Sequence, residues 1–101
     1  MNKKLWIDDI KMAPSGWDWA KTSAEAIKAI RTTPYVEISF DHDLGGTDTA
    51  YRVASLIEEL AHSGKIKRMN WKVHSQNPVG IRNIQMAMQN ADKYWNGNGT
   101  K

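Results

Sequence analysis

Val36-Glu37-Ile38-Ser39-Phe40-Asp41-His42-Asp43-Leu44-Gly45-Gly46 decides how this chain folds. Residues 36–40 are rich in β-branched and aromatic side chains over a strand's length, and they run straight into two aspartates, a histidine and a glycine pair. A strand therefore delivers polar residues into a glycine loop. Downstream, Val53, Leu56, Ile57 and Leu60 recur at helical spacing over about 49–62, with Thr47, Asp48 or Thr49 as the expected cap and Gly64 just past the end. Upstream, Thr22-Ser23-Ala24-Glu25 has capping-box spacing, and Ala26, Ile27 and Ile30 form one helical face that Thr32-Thr33-Pro34 stops.

Moving outward, Lys4-Leu5-Trp6-Ile7-Asp8 reads as a short first strand and Trp17-Asp18-Trp19 as a second, with Pro14 and Gly16 marking the loop between them. Trp71-Lys72-Val73-His74 is the last strand. Asn77-Pro78 then supplies an N-cap and the proline best tolerated at the first helical position, and Ile81, Ile84, Met88, Ala91 and Trp95 form the apolar stripe of a third helix. The alternation of strands and helices predicts a parallel sheet covered by helices through right-handed crossovers. Residues 1–95 read as one domain and 96–101, rich in Gly and Asn, as a flexible C-terminal tail.

The 101 residues contain no cysteine, 41% hydrophobic and 25% charged residues, which suits a globular domain held without disulfides and argues against disorder. No apolar run approaches the roughly 20 residues of a membrane span, and the Met1-Asn2-Lys3-Lys4 start is followed by too short an apolar stretch for a secretory signal, so the expected compartment is the cytoplasm. The formal net charge of +3 identifies no partner by itself, since only Lys65, Lys67 and Arg68 cluster.

In a parallel α/β sheet, ligands bind beyond the carboxyl ends of the strands. Those ends are Asp8-Asp9, Asp41-His42-Asp43 and His74-Ser75, far apart in sequence and brought to one rim by the fold. Clustered carboxylates repel unless a cation compensates them, and a hard oxygen set without thiolates suits Mg²⁺, Mn²⁺ or Ca²⁺. His42 and His74 can exchange protons near neutral pH. His62 falls in the last turn of a helix, where a cation suits the dipole. Ser75 follows His74 directly, and neighbours on a strand point to opposite faces, so the two do not make a nucleophile pair. The turn from Ser75 through Asn77 to Gly80 opens a helix N-terminus suited to phosphate, with Arg82 and Asn83 as reinforcement. Trp6, Trp71 and Trp95 are expected in the core, while Trp17 or Trp19 could meet a nucleobase.

Taken together, Leu5-Trp6-Ile7-Asp8-Asp9-Ile10, Trp19-Ala20-Lys21-Thr22, Ile38-Ser39-Phe40-Asp41-His42-Asp43-Leu44-Gly45-Gly46 and His74-Ser75-x-Asn77-Pro78-x-Gly80 resemble the cyclic-phosphate-processing receiver-like family, over residues 4 to about 90. More distantly the chain is similar to response-regulator receiver domains. The resemblance implies a three-layer, truncated receiver-like (flavodoxin-like) α/β fold of four parallel strands in the order 2-1-3-4 with three helices. It also implies Asp8, Asp9 and Asp41 as positions for Mg²⁺ or Mn²⁺, and Ser75 where receivers carry the hydroxyl that reads a phosphoryl group. There is no room for a helix after the first strand or for a fifth strand with its lysine, which disfavours a phosphorylation switch at Asp41.

The expected function is metal-dependent hydrolysis of a cyclic phosphate, on a cyclic nucleotide or a cyclic-phosphate-ended RNA. His42 and His74 would serve as acid and base, Asp43 would orient a histidine or join the metal shell, and Ser75, Asn77, Gly80, Arg82 and Asn83 would grip phosphate oxygens. The alternative is a binding protein, of the kind a phage or mobile element makes, that sequesters a cyclic nucleotide without turnover.

Overall fold

The computed structural model describes residues 2–97. It contains β1 (Lys3–Ile7), β2 (Asp18–Ala20), α1 (Ser23–Thr32), β3 (Tyr35–Phe40), α2 (Tyr51–His62), β4 (Asn70–Val73) and α3 (Pro78–Trp95). All strand pairs are parallel and the sheet order is β2-β1-β3-β4, the receiver-like order. Of the stretch read as a tail, residues 98–101 lie outside the described ones, while Asn96 and Gly97 close α3 through N–H groups donated to Asp92 O and Tyr94 O.

Two helix starts form as their sequences dictate. Thr22 Oγ1 accepts the Glu25 N–H at 3.1 Å, and the Glu25 carboxylate reaches back to the Lys21 N–H at 2.8 Å. Asn77 Oδ1 accepts the Gly80 N–H at 3.1 Å, with Pro78 in the first turn. The start of α2 differs from expectation. It is preceded by Ala50 with no side-chain cap, because the tight turn closed by Leu44 N–H to Asp48 O and Asp48 N–H to Gly45 O commits Asp48 elsewhere. The Asp48 carboxylate instead accepts the Ser23 N–H at 2.9 Å and the Ser23 hydroxyl at 2.5 Å, capping α1 from a segment 25 residues away.

The layer count also differs. Both crossovers, β2 to β3 past β1 and β3 to β4, step in the same direction, so right-handed connections bring α1 and α2 to one face. Leu5, Ile7, Ala20, Ile38 and Phe40 point to that face and share a single core with Ala26 and Ile30 of α1, Val53 and Ile57 of α2, and Ile84 and Met88 of α3. A helix on the other face would have to follow β1, and that connection is a loop. The domain therefore has two layers rather than three, and its shortest dimension is 19 Å. The uncovered face carries Lys4 and Trp6 of β1, Trp19 of β2, Glu37 and Ser39 of β3, and Lys72 of β4.

Trp6 accordingly leaves the expected core and lies on this uncovered face, its indole N–H donated to Lys11 O at 3.0 Å. Trp71 and Trp95 pack against the core as expected, donating to Asp92 and to Ile66 O. Asp48→Ala, which removes both bonds to the first turn of α1, is expected to lower stability by about 1–2 kcal/mol. Thermal melts should show this as a fall of about 4–8 °C per kcal/mol; an unchanged melting temperature would mean that water replaces the carboxylate there at no cost.

Candidate active site

The carboxyl ends of β1, β3 and β4 bring Asp8, Asp41 and His74 into one row, one residue beyond the last paired positions of each strand. Backbone bonds from Asp41 N–H to Ile7 O and from His74 N–H to Phe40 O, both 2.8 Å, carry the parallel ladder up to that row. Above it opens a cavity of about 720 Å³, whose lining includes Asp8, Asp9, Asp41, Asp43, His74 and Ser75. Carboxylate oxygens of Asp8, Asp9 and Asp41 all lie within 4.8 Å of one another.

The two row aspartates are held in opposite electrostatic states. Asp8 is 3% exposed. Burial pushes its carboxyl up, but Oδ1 accepts the Ile10 N–H at 2.9 Å and the Lys11 N–H at 2.8 Å, and Oδ2 faces His74 Nε2 at 3.0 Å; together these bonds hold it below the ordinary 3.8. Asp41 has fewer such partners. Burial, and then the charge of Asp8, raise it above 3.8 against the opposing hydrogen bond of Ser75. One carboxylate is thus fully supported by the fold, and its neighbour bears the repulsion.

His74 has both ring nitrogens engaged. Nε2 faces Asp8, and Nδ1 lies 2.7 Å from the hydroxyl of Ser39, which is completely buried. Its ring stacks on Trp6 with centroids 3.9 Å apart and planes 8° from parallel. Burial lowers the His74 pKa against the pull of Asp8, so the neutral ring, with N–H at Nε2 and the Ser39 hydroxyl donated to Nδ1, fits these contacts. The partner of His74 is therefore Ser39 across the sheet, consistent with the opposite facing of Ser75.

His42 is placed differently. Its Nδ1 lies 3.1 Å from Asp43 Oδ1, and the Asp43 carboxyl is held low first by this bond and then by the Asn77 amide, whose Nδ2 is 3.3 Å from Oδ2. The imidazole packs on the first turn of α3, where a Cβ at position 80 would overlap the ring. Gly80 makes room for this histidine, and its N–H is taken by Asn77. Arg82 and Asn83 are exposed on α3, and neither they, Gly80 nor His42 is part of the cavity lining. His62 packs edge-on against Tyr94, apart from the site.

Gly45 borders the cavity with φ +94°, a left-handed conformation that favours glycine, and a Cβ there would lie 3.5 Å from Asp9 Oδ2. Its motif position was legible. Lys11 and Gln76 also line the cavity and were not anticipated, since each sits in a loop without a distinguishing pattern.

The family model of the cyclic-phosphate processing receiver domain matches residues 3–90. The chain belongs to this family. The match spans every strand and the whole cavity lining, so the receiver-like sheet and the carboxylate rim are the framework of a cyclic-phosphate processing receiver domain. No curated protein and no solved structure matches the chain. No helix among the described residues is long and apolar enough to cross a membrane.

Because Asp8 is depressed, its contribution to stability is present above its ordinary value and is lost as pH falls through the folded value. For Asp41 the sign reverses, the penalty growing as pH rises through its raised value. In metal-free buffer at pH 7, Asp41→Asn is expected to raise the melting temperature, with the gain vanishing by about pH 3. Asp8→Ala should lower stability by about 3 kcal/mol, since two backbone N–H groups and an imidazole lose a charged partner. Shifts of the same sign in both variants would contradict this division.

Proposed function

We propose that this receiver domain is a divalent-cation-dependent hydrolase that opens a cyclic phosphate. The observation that carries the reading is the convergence of Asp8, Asp9 and Asp41 oxygens at the edge of a cavity large enough for a nucleotide. The donor set fits Mg²⁺ or Mn²⁺: three hard carboxylates, one of them raised by burial and by its neighbour's charge, so a cation relieves a repulsion that the protein leaves in place. Bound there, the ion supplies positive charge to offset that on the phosphoryl oxygens.

The chain's own residues account for the remaining requirements. His74, fixed between Ser39, Trp6 and Asp8, orients the Asp8 carboxylate as outer partners orient metal ligands. Lys11 at the cavity wall would meet phosphate oxygens in place of the fifth-strand lysine that receivers have and this chain lacks, and the Ser75 hydroxyl, now given to Asp41, would turn to them once a cation takes its place on that carboxylate. Opening the ring adds water across one P–O ester bond: the water oxygen bonds to phosphorus, the ester oxygen leaves, and one proton passes from water to that oxygen. His42, its Nδ1 beside Asp43, lies outside the cavity lining, so it would take the water's proton through one intervening water rather than directly.

A panel of cyclic mononucleotides, cyclic oligonucleotides and 2′,3′-cyclic-ended RNA, incubated with and without Mg²⁺ or Mn²⁺ and separated by chromatography, tests the proposal. Cation-dependent ring opening is expected, with His42→Ala slower by about 10²–10⁴. Wild-type protein should also gain about 2.7 kcal/mol of stability at Mn²⁺ a hundredfold above its Kd, and Asp41→Asn should gain much less. Recovery of intact ligand from denatured protein would instead establish a sequestering binder.

A further inference from the structure

The uncovered face of the sheet runs directly into the site. Asp8, Asp41 and His74 are the top row of that face; one row below stand Trp19, Trp6, Ser39 and Lys72, and below those Lys4 and Glu37. Each row lies about 6.6 Å from the next along the strands. Trp17, at the end of the β1–β2 loop, meets Trp6 edge-on with centroids 5.8 Å apart. The Lys4 and Lys72 ammonium groups approach the Trp17 ring at 5.6 and 5.3 Å.

We propose that this face is a docking platform for single-stranded RNA, holding the nucleotides that precede a cyclic-phosphate terminus lodged in the carboxylate cavity. The inference rests on the hydrolase reading for the terminus and adds the recognition of the chain behind it. Below the site row charge favours a polyanion, with Lys4 and Lys72 against Glu37, while the aspartates of the row itself require the bound cation before a phosphate lies over them. The Lys72–Glu37 pair is 3.8 Å long with the lysine side chain 56% exposed, a geometry that contributes little and leaves the ammonium free to turn to phosphate. Exposed cation–π contacts at this range are weaker than a base stacked on an indole, so a base displaces the lysines from Trp17 while the backbone recruits them. One face of Trp6 is taken by His74, and the Trp19 indole is pinned to Asp8 O with the Lys21 ammonium 4.5 Å from its ring, so the stacking is assigned to Trp17.

The test compares a short single-stranded RNA ending in a 2′,3′-cyclic phosphate with the matching cyclic mononucleotide, in Mn²⁺, measuring binding by tryptophan fluorescence and cleavage by chromatography. RNA is expected to bind more tightly, with log K falling against log salt at a slope of about −1.4 from two lysine contacts. The double variant Lys4→Glu/Lys72→Glu should weaken RNA binding roughly tenfold and flatten that slope, with mononucleotide cleavage unchanged. Trp17→Ala should also weaken RNA without altering the mononucleotide. Equal affinity for the two ligands, or a slope that survives charge reversal, overturns the platform even where both ligands are cleaved. Salt-dependent RNA binding through Lys4 and Lys72 with no cleavage of either ligand supports the platform and removes the hydrolase. A dimer in sedimentation that Trp17→Ala splits, with RNA binding unaffected, assigns the face to a second copy and overturns the proposal.

Discussion

A buried carboxylate at the end of the central strand ties the molecule together. The Asp8 side chain fixes the following loop through the Ile10 and Lys11 N–H groups, and it meets His74 beyond β4, which in turn meets Ser39 of β3. Its own carbonyl accepts the Trp19 indole N–H at 2.7 Å, so β2 is tied to the same residue. A charge this deeply buried persists because the Ile10 and Lys11 N–H groups and the His74 ring compensate its lost hydration, and each of these would be left unsatisfied without it. Asp41 stands beside it with a weaker set of partners. The site's negative charge is therefore divided between a structural carboxylate that the fold has stabilised and a neighbouring one left to interact with something else.

Most of the fold was legible because it depends on local signals. The capping box at Thr22, the Asn77-Pro78 start and the hydrophobic run ending at Phe40 each specify their element within a few residues, and the carboxylate rim follows from strand ends in a parallel sheet. What failed to show depends on contacts between distant segments. Asp48 looked like a cap for the helix that follows it, yet the turn at Leu44–Asp48 sends its carboxylate to Ser23. The three-layer expectation fell because layer count depends on the direction of each crossover: replacing the helix after β1 with a loop removes the one connection that covers the second face.

The site shows the same division. Asp8, Asp9, Asp41, Asp43, His74, Ser75 and Asn77 come together as their strand-end positions imply. Gly80, read as part of a phosphate grip, instead accommodates the His42 ring, because a glycine in a helix's first turn has the same sequence signature whether it admits a ligand or a neighbouring side chain. Ser39 and Trp6 were hidden for a different reason. Their meeting with His74 crosses the sheet, and no spacing along the chain reveals which side chains share a face until the register of three strands is known.

Losing the helix after β1 has a consequence for both stability and recognition. An uncovered sheet face would ordinarily be polar, as one-sided sheets are, yet this one carries Trp6, Trp17 and Trp19. The indole N–H groups of Trp6 and Trp19 bond to loop carbonyls at Lys11 and Asp8, so these rings anchor the loop that stands in for the helix. Trp17 has lysines rather than a hydrogen-bond partner around its ring. The first two are accounted for by holding the site's loop in place. The third packs edge-on against Trp6 without an indole bond of its own, and its aromatic surface beside two lysines, in line with the carboxylate row, is the part of this face that hydrogen bonding to the loop does not employ.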